Sequence, residues 1–536
     1  MSSQSFGMKS YMKGALLLTV AALIVKMLSA IYRVPYQNLV GDQGFYVYQQ
    51  VYPFIAFFVV WTSSGFAVAI SKILADMEAQ GSSPVEKRAV TRVIFNYLLV
   101  LSIVFFCLLF FGADSLAALM QDTQLAPLLQ VGSFVTLCMP ILAVLKGNFQ
   151  ANSMMKPVAY AQVFEQMIRV AVILIGTVIL LTFTQSVYEA GKMAIFGTVI
   201  GEVAGIILLL LYVKRNSTPK EHVKVNVKAW PIIKEVTIYS ISISMSGLLL
   251  LCFQLVDSFT IYPSLIESGM EKEQAMALKG IYDRGQPLVQ LGLVIASSLS
   301  LAIVPLVAFK AKKTSGRGAL PFIQLTYRSS LLFAIAASLG LVVVMPYVNE
   351  MLFTTDALSN VLIIYVMQII PLSIILTFTA ILQGYSKLKL PAIFLVTSIA
   401  IKYVGNTFLI AQFGIVGAAL ASNIGLYLTA FALIIYLRKW TKAAFATGQF
   451  YWRLLLASIA MIVAVEGAIM LLNQLVEGAS FSRITAVLYS LLLVGVGAFT
   501  FMTVVAKLRV LAEKEWFLIP LGRRMAAYQL WLNRKK

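Results

Sequence analysis

Apolar runs, each long enough to cross a bilayer, follow one another along the chain with short polar stretches between them. A spanning helix needs about 20 mostly apolar residues. Fourteen such runs are read at roughly 14–35, 47–70, 92–113, 127–149, 157–183, 192–213, 235–262, 286–309, 326–348, 359–383, 390–411, 414–437, 453–475 and 484–506. No long alternating strand pattern competes, and an open sheet in lipid would leave its edge backbone groups without partners. The expectation is an all-α polytopic membrane protein, with two six-helix lobes around a central cavity and two further C-terminal helices. The first run lacks a small-residue cleavage site and carries Lys26, so it reads as a retained span and not a signal peptide.

The runs repeat. An offset of 234 residues aligns Tyr48 with Tyr282, Pro53 with Pro287, Ser63 and Ser64 with Ser297 and Ser298, and Ile70 with Val304, without a gap. A weaker echo links Pro140, Gly147 and Pro157 with Pro371, Gly384 and Pro391. An offset of six helices gives both halves the same topology, which predicts lobes related by an axis along the membrane normal, with substrate held between them near mid-depth. The boundaries read as 1–225 for the first lobe, 226–440 for the second, 441–506 for the extra helices, and 507–536 for a basic amphipathic cytoplasmic tail.

Composition removes the remaining classes. The 536 residues are 60% hydrophobic and 12% charged, with mean hydropathy +0.88, which excludes a soluble domain. The net charge of +20 is spread by sidedness: bases such as Lys72, Arg88, Lys146, Lys214, Lys234, Lys312, Arg438 and Lys439 fall on one side. Acids such as Asp42, Asp122, Glu267 and Asp356 fall on the other. That is the positive-inside bias, with both termini cytoplasmic, and it makes nucleic acid an unneeded explanation. Cys107, Cys138 and Cys252 lie inside spans without paired spacing and read as packing residues. His222, the one histidine, sits in the basic 214–234 loop, and no GxxxxGK[ST] loop exists, so neither histidine chemistry in the membrane nor an ATPase engine is expected. No metal or cofactor is expected, and an enzyme is not.

Ionisable residues at membrane depth normally mark a pathway or find a partner. The set is Lys26, Arg33, Glu165, Arg169, Glu202, Asp257, Lys402 and Glu466, with Arg284 at the outer mouth of span eight, where solvation would explain it. Lys26 and Arg33 are seven apart, two turns, on one face without a local acid, which favours an anion-receiving stripe, with snorkelling to the outer surface the alternative for Arg33. Glu165 and Arg169 are four apart and share a face, so an internal ion pair and a substrate role stay open. Asp257 is a counter-charge to Lys26 or Arg33, or a cation or proton site. Lys402 is a second cavity cation or pairs with a neighbouring helix. Glu202 lies on a helix with Gly197, Gly201 and Gly205, a spacing that lets helices approach closely. Asp42 and Asp283 would qualify for a glycosyltransferase by position alone.

The stretches Lys26-Met-Leu-Ser-Ala-Ile-Tyr-Arg-Val-Pro35, Leu39-Val-Gly-Asp-Gln-Gly-Phe-Tyr46 and Ala69-Ile-Ser-Lys-Ile-Leu-Ala75 carry a resemblance, joined by Ala277-Leu-Lys-Gly-Ile-Tyr282 and Leu301-Ala-Ile-Val-Pro305. They resemble the polysaccharide-transporter branch of the multidrug/oligosaccharidyl-lipid/polysaccharide flippase superfamily, in its stage V sporulation protein B and MurJ-like group. The resemblance implies a fourteen-helix flippase moving undecaprenyl-pyrophosphate-linked sugars outward across the bacterial plasma membrane by alternating access. Its partners would be that substrate, membrane lipids and cell-wall synthesis proteins. It implies that cavity cations contact the pyrophosphate, with Lys26 and Arg33 in matching territory. Span two offers no base before Lys72 and span eight only Arg284, which leaves the glycan open. A multidrug or cation antiporter of the same superfamily, a membrane glycosyltransferase and a non-transporting cell-wall component are the alternatives.

Overall fold

The computed structural model describes residues 17–18, 20–184, 186–215, 227–294, 296–298, 319–385, 387, 389–475, 482–517 and 522–534. The Leu301–Pro305 motif, Val304 of the internal echo and His222 lie outside them. The described residues are helical throughout, with no strand. Twelve helical segments among them are long and apolar enough to cross a membrane.

The first of these, Val20–Ala79, is 60 residues long. A straight path of that length would reach about 90 Å, three bilayer cores. Its members are α1 (residues 20–31), α2 (Arg33–Val60), a π-helical turn at Trp61–Phe66 and α3 (Ala67–Ala79). Gly41 breaks α2 at φ 69, ψ −174, a backbone conformation that a side chain would strain. The chain folds back there: Tyr32 and Tyr48, 16 residues apart, touch through their hydroxyls at 2.5 Å. The segment therefore holds two crossings. The eighth expected run begins within residues 272–298 and then leaves the described residues, so the observed spans are consistent with fourteen.

The chain divides into two compact units, residues 1–283 with 388–399, and residues 284–387 with 400–536. The first unit continues with α4 (Pro84–Phe111), α5 (Ala113–Leu119), α6 (Ala126–Ala151), α7 (Met155–Phe183), α8 (Val187–Arg215), α9 (Ala229–Glu267) and α10 (Lys272–Asp283). The helices α9 and α10, which the sequence assigns to the second lobe, cluster with this unit. Local signals set the ends: Ser83 and Glu86 close a capping box ahead of Pro84 on α4.

Antiparallel α7 and α8 meet along the glycine face. A Cβ on Gly197 would lie 2.8 Å from Ile173, one on Gly201 2.9 Å from Arg169 Cβ, and one on Gly205 3.0 Å from Glu165 Oε2. Each step of four along α8 is a step of four back along α7. The glycines thus bring the backbone against Arg169 and Glu165 and fix where those two side chains go. Gly201→Val is expected to force the pair apart and lower stability by ~1–3 kcal/mol, read by thermal unfolding in detergent.

The second unit comprises α11 (Gly285–Gly292), α12 (Leu320–Phe353), α13 (Ser359–Val366), α14 (Ile369–Gly384), most of α15 (Lys389–Phe413), α16 (Ile415–Thr441), α17 (Gly448–Leu475), α18 (Arg483–Lys507), α19 (Glu513–Trp516) and α20 (Gly522–Leu532). Tyr327 stacks on Phe378 at 5.4 Å and both reach Phe445. The tail folds onto this unit. Glu515 forms an ion pair with Arg328, and buried Trp516 donates its indole N–H to Gln529 Oε1 at 2.7 Å. Trp516 is thus an internal anchor and not an interfacial one, whereas Trp531 remains exposed.

Candidate functional site

Two cationic side chains buried in the first unit form no salt bridge among the described residues. Arg33, at the start of α2, is 0% exposed, and its Nε, Nη1 and Nη2 have no hydrogen-bond partner. Its guanidinium lies 4.7 Å from the centre of the Tyr52 ring. Arg169, from α7, reaches the same ring at 5.5 Å and the Tyr32 ring at 6.0 Å, and donates from Nη2 to the Tyr48 hydroxyl at 3.4 Å. Tyr36 closes the group edge-on to Tyr48 at 5.1 Å, and Tyr48 lies 5.4 Å from Tyr52.

The sequence builds this cage simply. Tyr32 and Tyr36 are one turn apart on one arm of the hairpin bent at Gly41, and Tyr48 and Tyr52 are one turn apart on the other. Cation–π contact offsets part of the desolvation of a guanidinium. An unpaired buried ion still costs several kcal/mol, so its survival calls for a use beyond packing.

The acids that could have neutralised this pair are held elsewhere. Lys146, on α6 and 0% exposed, donates 3.0 Å bonds to Glu165 Oε2 on α7 and to Ser63 Oγ. Ser63 belongs to the π-helical turn Trp61–Phe66, a distortion that recurs at functional positions. Glu202, 3% exposed on α8, interacts electrostatically with Glu165, Lys146 and Arg169. Glu165 and Arg169, one turn apart, therefore face different partners. The intrahelical ion pair that their spacing suggested does not form, because the Lys146 ammonium arrives from a neighbouring helix. With three cations against two carboxyls, the combined cluster keeps a positive charge whatever the protonation of Glu202.

The other sequence candidates take separate places. Lys26, two turns before Arg33 on α1, is exposed, and no salt bridge to it occurs among the described residues, so an exposed cation leads to a buried one along one helical stripe. Asp257 is buried on α9 and engaged by a neighbouring group. It is not the counter-charge of Arg33, whose nitrogens have no such bond. Arg284 is fully buried rather than solvated: it donates to Asn349 Oδ1 at 3.0 Å and to the Thr355 carbonyl, and lies over Phe353 at 5.1 Å. Lys402, 1% exposed, donates to Ser422 on α16, within the second unit. Asp283 accepts from Lys279 at 2.7 Å, and Asp42 accepts from Gln37 at 2.8 Å. The three cysteines are free, although Cys107 is exposed and only Cys138 is fully buried.

Residues the sequence did not propose for the site complete it: Lys146, read as a cytoplasmic base, Tyr48, read only as part of the repeat, and Tyr32, Tyr36 and Tyr52. The paired four-residue spacing of the tyrosines on adjoining helices was their one signal.

Residues 11–309 match the family described as polysaccharide biosynthesis protein. A Bacillus subtilis (strain 168) protein, "Uncharacterized membrane protein YabM", is 33% identical over 539 residues, covering 98% of each chain. The lipid II flippase MurJ of the same organism is 26% identical across 77% of this chain and 80% of its own. Its stage V sporulation protein B is 31% identical across 40% of both. Among solved structures, lipid II flippase MurJ in an inward closed conformation shares the fold with TM-score 0.67 at 15% identity, over 92% of this chain and 98% of its own. A multidrug resistance MATE family transporter in an inward-facing conformation reaches 0.57 at 13% identity, over 80% and 98%. The chain belongs to the polysaccharide biosynthesis protein family, in the MurJ-like polysaccharide-transporter group of the multidrug/oligosaccharidyl-lipid/polysaccharide flippase superfamily.

Proposed function

We propose that this protein is a flippase that carries undecaprenyl-pyrophosphate-linked sugar precursors, lipid II or another cell-wall or capsular glycan lipid, from the inner to the outer leaflet of a bacterial plasma membrane. One observation supports the reading above the others: Arg33 and Arg169 sit buried, 4.7 and 5.5 Å from the centre of the same Tyr52 ring, and neither forms a salt bridge among the described residues. Planar guanidiniums bind phosphate oxygens in bidentate fashion, and two of them match the two phosphates of a pyrophosphate. Lys26 offers the exposed first contact, and the ring hydroxyls of Tyr48 and Tyr52 supply further polar partners.

Lys146, bonded to Glu165 and to Ser63 of the π-helical turn, ties α6 and α7 to the second crossing and leaves the charges of Arg33 and Arg169 uncancelled. Of the acids a cation antiporter would use, Glu165 is held by Lys146, whereas Asp257 keeps its place as the ion or proton site of that alternative.

An inside-negative potential favours outward movement of an anion by about 2.3 kcal/mol per charge per 100 mV, so no nucleotide is needed. In proteoliposomes, outward flipping of a polyprenyl-pyrophosphate-linked glycan is expected to accelerate when an inside-negative potential is imposed. Lys26→Ala is expected to slow it roughly tenfold, the size of one lost charged contact. Transport indifferent to both the potential and the substitution would remove the proposal.

A further inference from the structure

We propose that the C-terminal end of α16 is a binding site for the headgroup of an anionic phospholipid, distinct from the transported substrate. Ile424, Leu428, Phe431 and Ile435 are all exposed, and their spacing of four, three and four places them on one stripe of the helix. The stripe is not a packing face, since α16 buries Ala419, Leu426, Ala430, Leu433 and Leu437 on its other side. Continuing the same stripe, the next positions are Arg438 and Lys439, one turn past Ile435, and Lys442 follows just beyond the end of the helix.

These three bases, with Ile435, Ala443 and Ala444, line a cavity of about 540 Å³. Its turn is preformed: Lys442 holds φ 53, and Gln324 donates to the Ala444 carbonyl at 2.8 Å.

The charge has no internal answer. Positions 357 to 465 contain neither aspartate nor glutamate, and no salt bridge reaches the three bases among the described residues. Other cations nearby in the chain are already used. Arg328 pairs with Glu515, and Lys387 lies over the Trp440 ring at 3.9 Å. An apolar stripe leading into a three-base cavity on the basic side of the membrane matches acyl chains followed by a phosphate. A soluble phosphate would use the bases and ignore the stripe. Basic cavities at the cytoplasmic ends of spans take anionic headgroups, each base contributing about fivefold in affinity.

The test uses the full chain in detergent, stripped of lipid and then offered phosphatidylglycerol or phosphatidylcholine. Retention is read by native mass spectrometry. The wild type is expected to hold phosphatidylglycerol selectively, and the R438Q/K439Q/K442Q variant to bind it about a hundredfold more weakly. The tail variant K507Q/R523Q/R524Q, also three exposed bases, is expected to keep the site. Equal loss in both variants would show surface charge only and overturn the proposal. Displacement of the lipid by inorganic phosphate at matched concentration would overturn it too. Because retention is measured without transport, a failed flippase assay leaves this result standing.

Discussion

Replacing Arg33 with methionine is expected to make the protein more stable and, at the same time, nearly inactive. The side chain is fully buried with no salt bridge to it among the described residues, so the folded state carries the desolvation of a guanidinium with only tyrosine rings and hydroxyls in return. Exchanging buried ionic groups for apolar side chains of similar volume stabilises by ~1–4 kcal/mol, and methionine can fill the space over Tyr52. The same exchange removes a charge-assisted contact to phosphate worth ~1.5–3 kcal/mol. That corresponds to a transport loss of ~10–150-fold. Thermal unfolding and proteoliposome flipping, measured on the same preparation, read the two effects separately. A drop in stability together with intact flipping would mean that the guanidinium serves packing on Tyr52 and nothing more.

The opposite sign is expected at the Lys146–Glu165 pair. Lys146→Met leaves part-buried Glu165 and buried Glu202 together without an ammonium, and Glu165→Met strands Lys146, which is 0% exposed. Breaking one side of a buried ion pair costs ~3–5 kcal/mol, so each single variant is expected to be hard to purify folded. The double variant K146M/E165M removes both charges and is expected to recover much of that loss, with a coupling energy of up to ~3 kcal/mol. Additive losses in the cycle would show that the two groups do not depend on each other, and would undo the account of why Arg169 is left unpaired.

Why Arg169 escapes its in-helix neighbour also explains what could be read from the sequence and what could not. The crossings follow from length and polarity alone, because lipid permits few other structures. The glycines at 197, 201 and 205 were legible because only a close backbone approach gives such a spacing a purpose. Lys146 was not. The run at 127–149 already held it, but the count of charges by side placed it among the cytoplasmic bases, whereas α6 runs on to Ala151, and Gly147 lets it lie against Ile70 and the Ala67 carbonyl, 2.9 Å from where a Cβ would stand.

With Lys146 inside, the four-residue spacing of Glu165 and Arg169 describes a shared face but not a shared partner. A tertiary contact at 3.0 Å outweighs a solvent-facing helical pair worth a few tenths of a kcal/mol. The tyrosine cage was hidden for a different reason. It depends on the hairpin at Gly41, and nothing in the apolar pattern says that the residues on either side of that glycine face each other.

Binding of polyprenyl pyrophosphate against polyprenyl monophosphate to the purified full chain, wild type beside the R33M/R169M variant, tests the central claim most directly. The account predicts that the wild type prefers the pyrophosphate by more than tenfold and that the variant, still folded, binds both alike. An undiminished preference in the variant would contradict it.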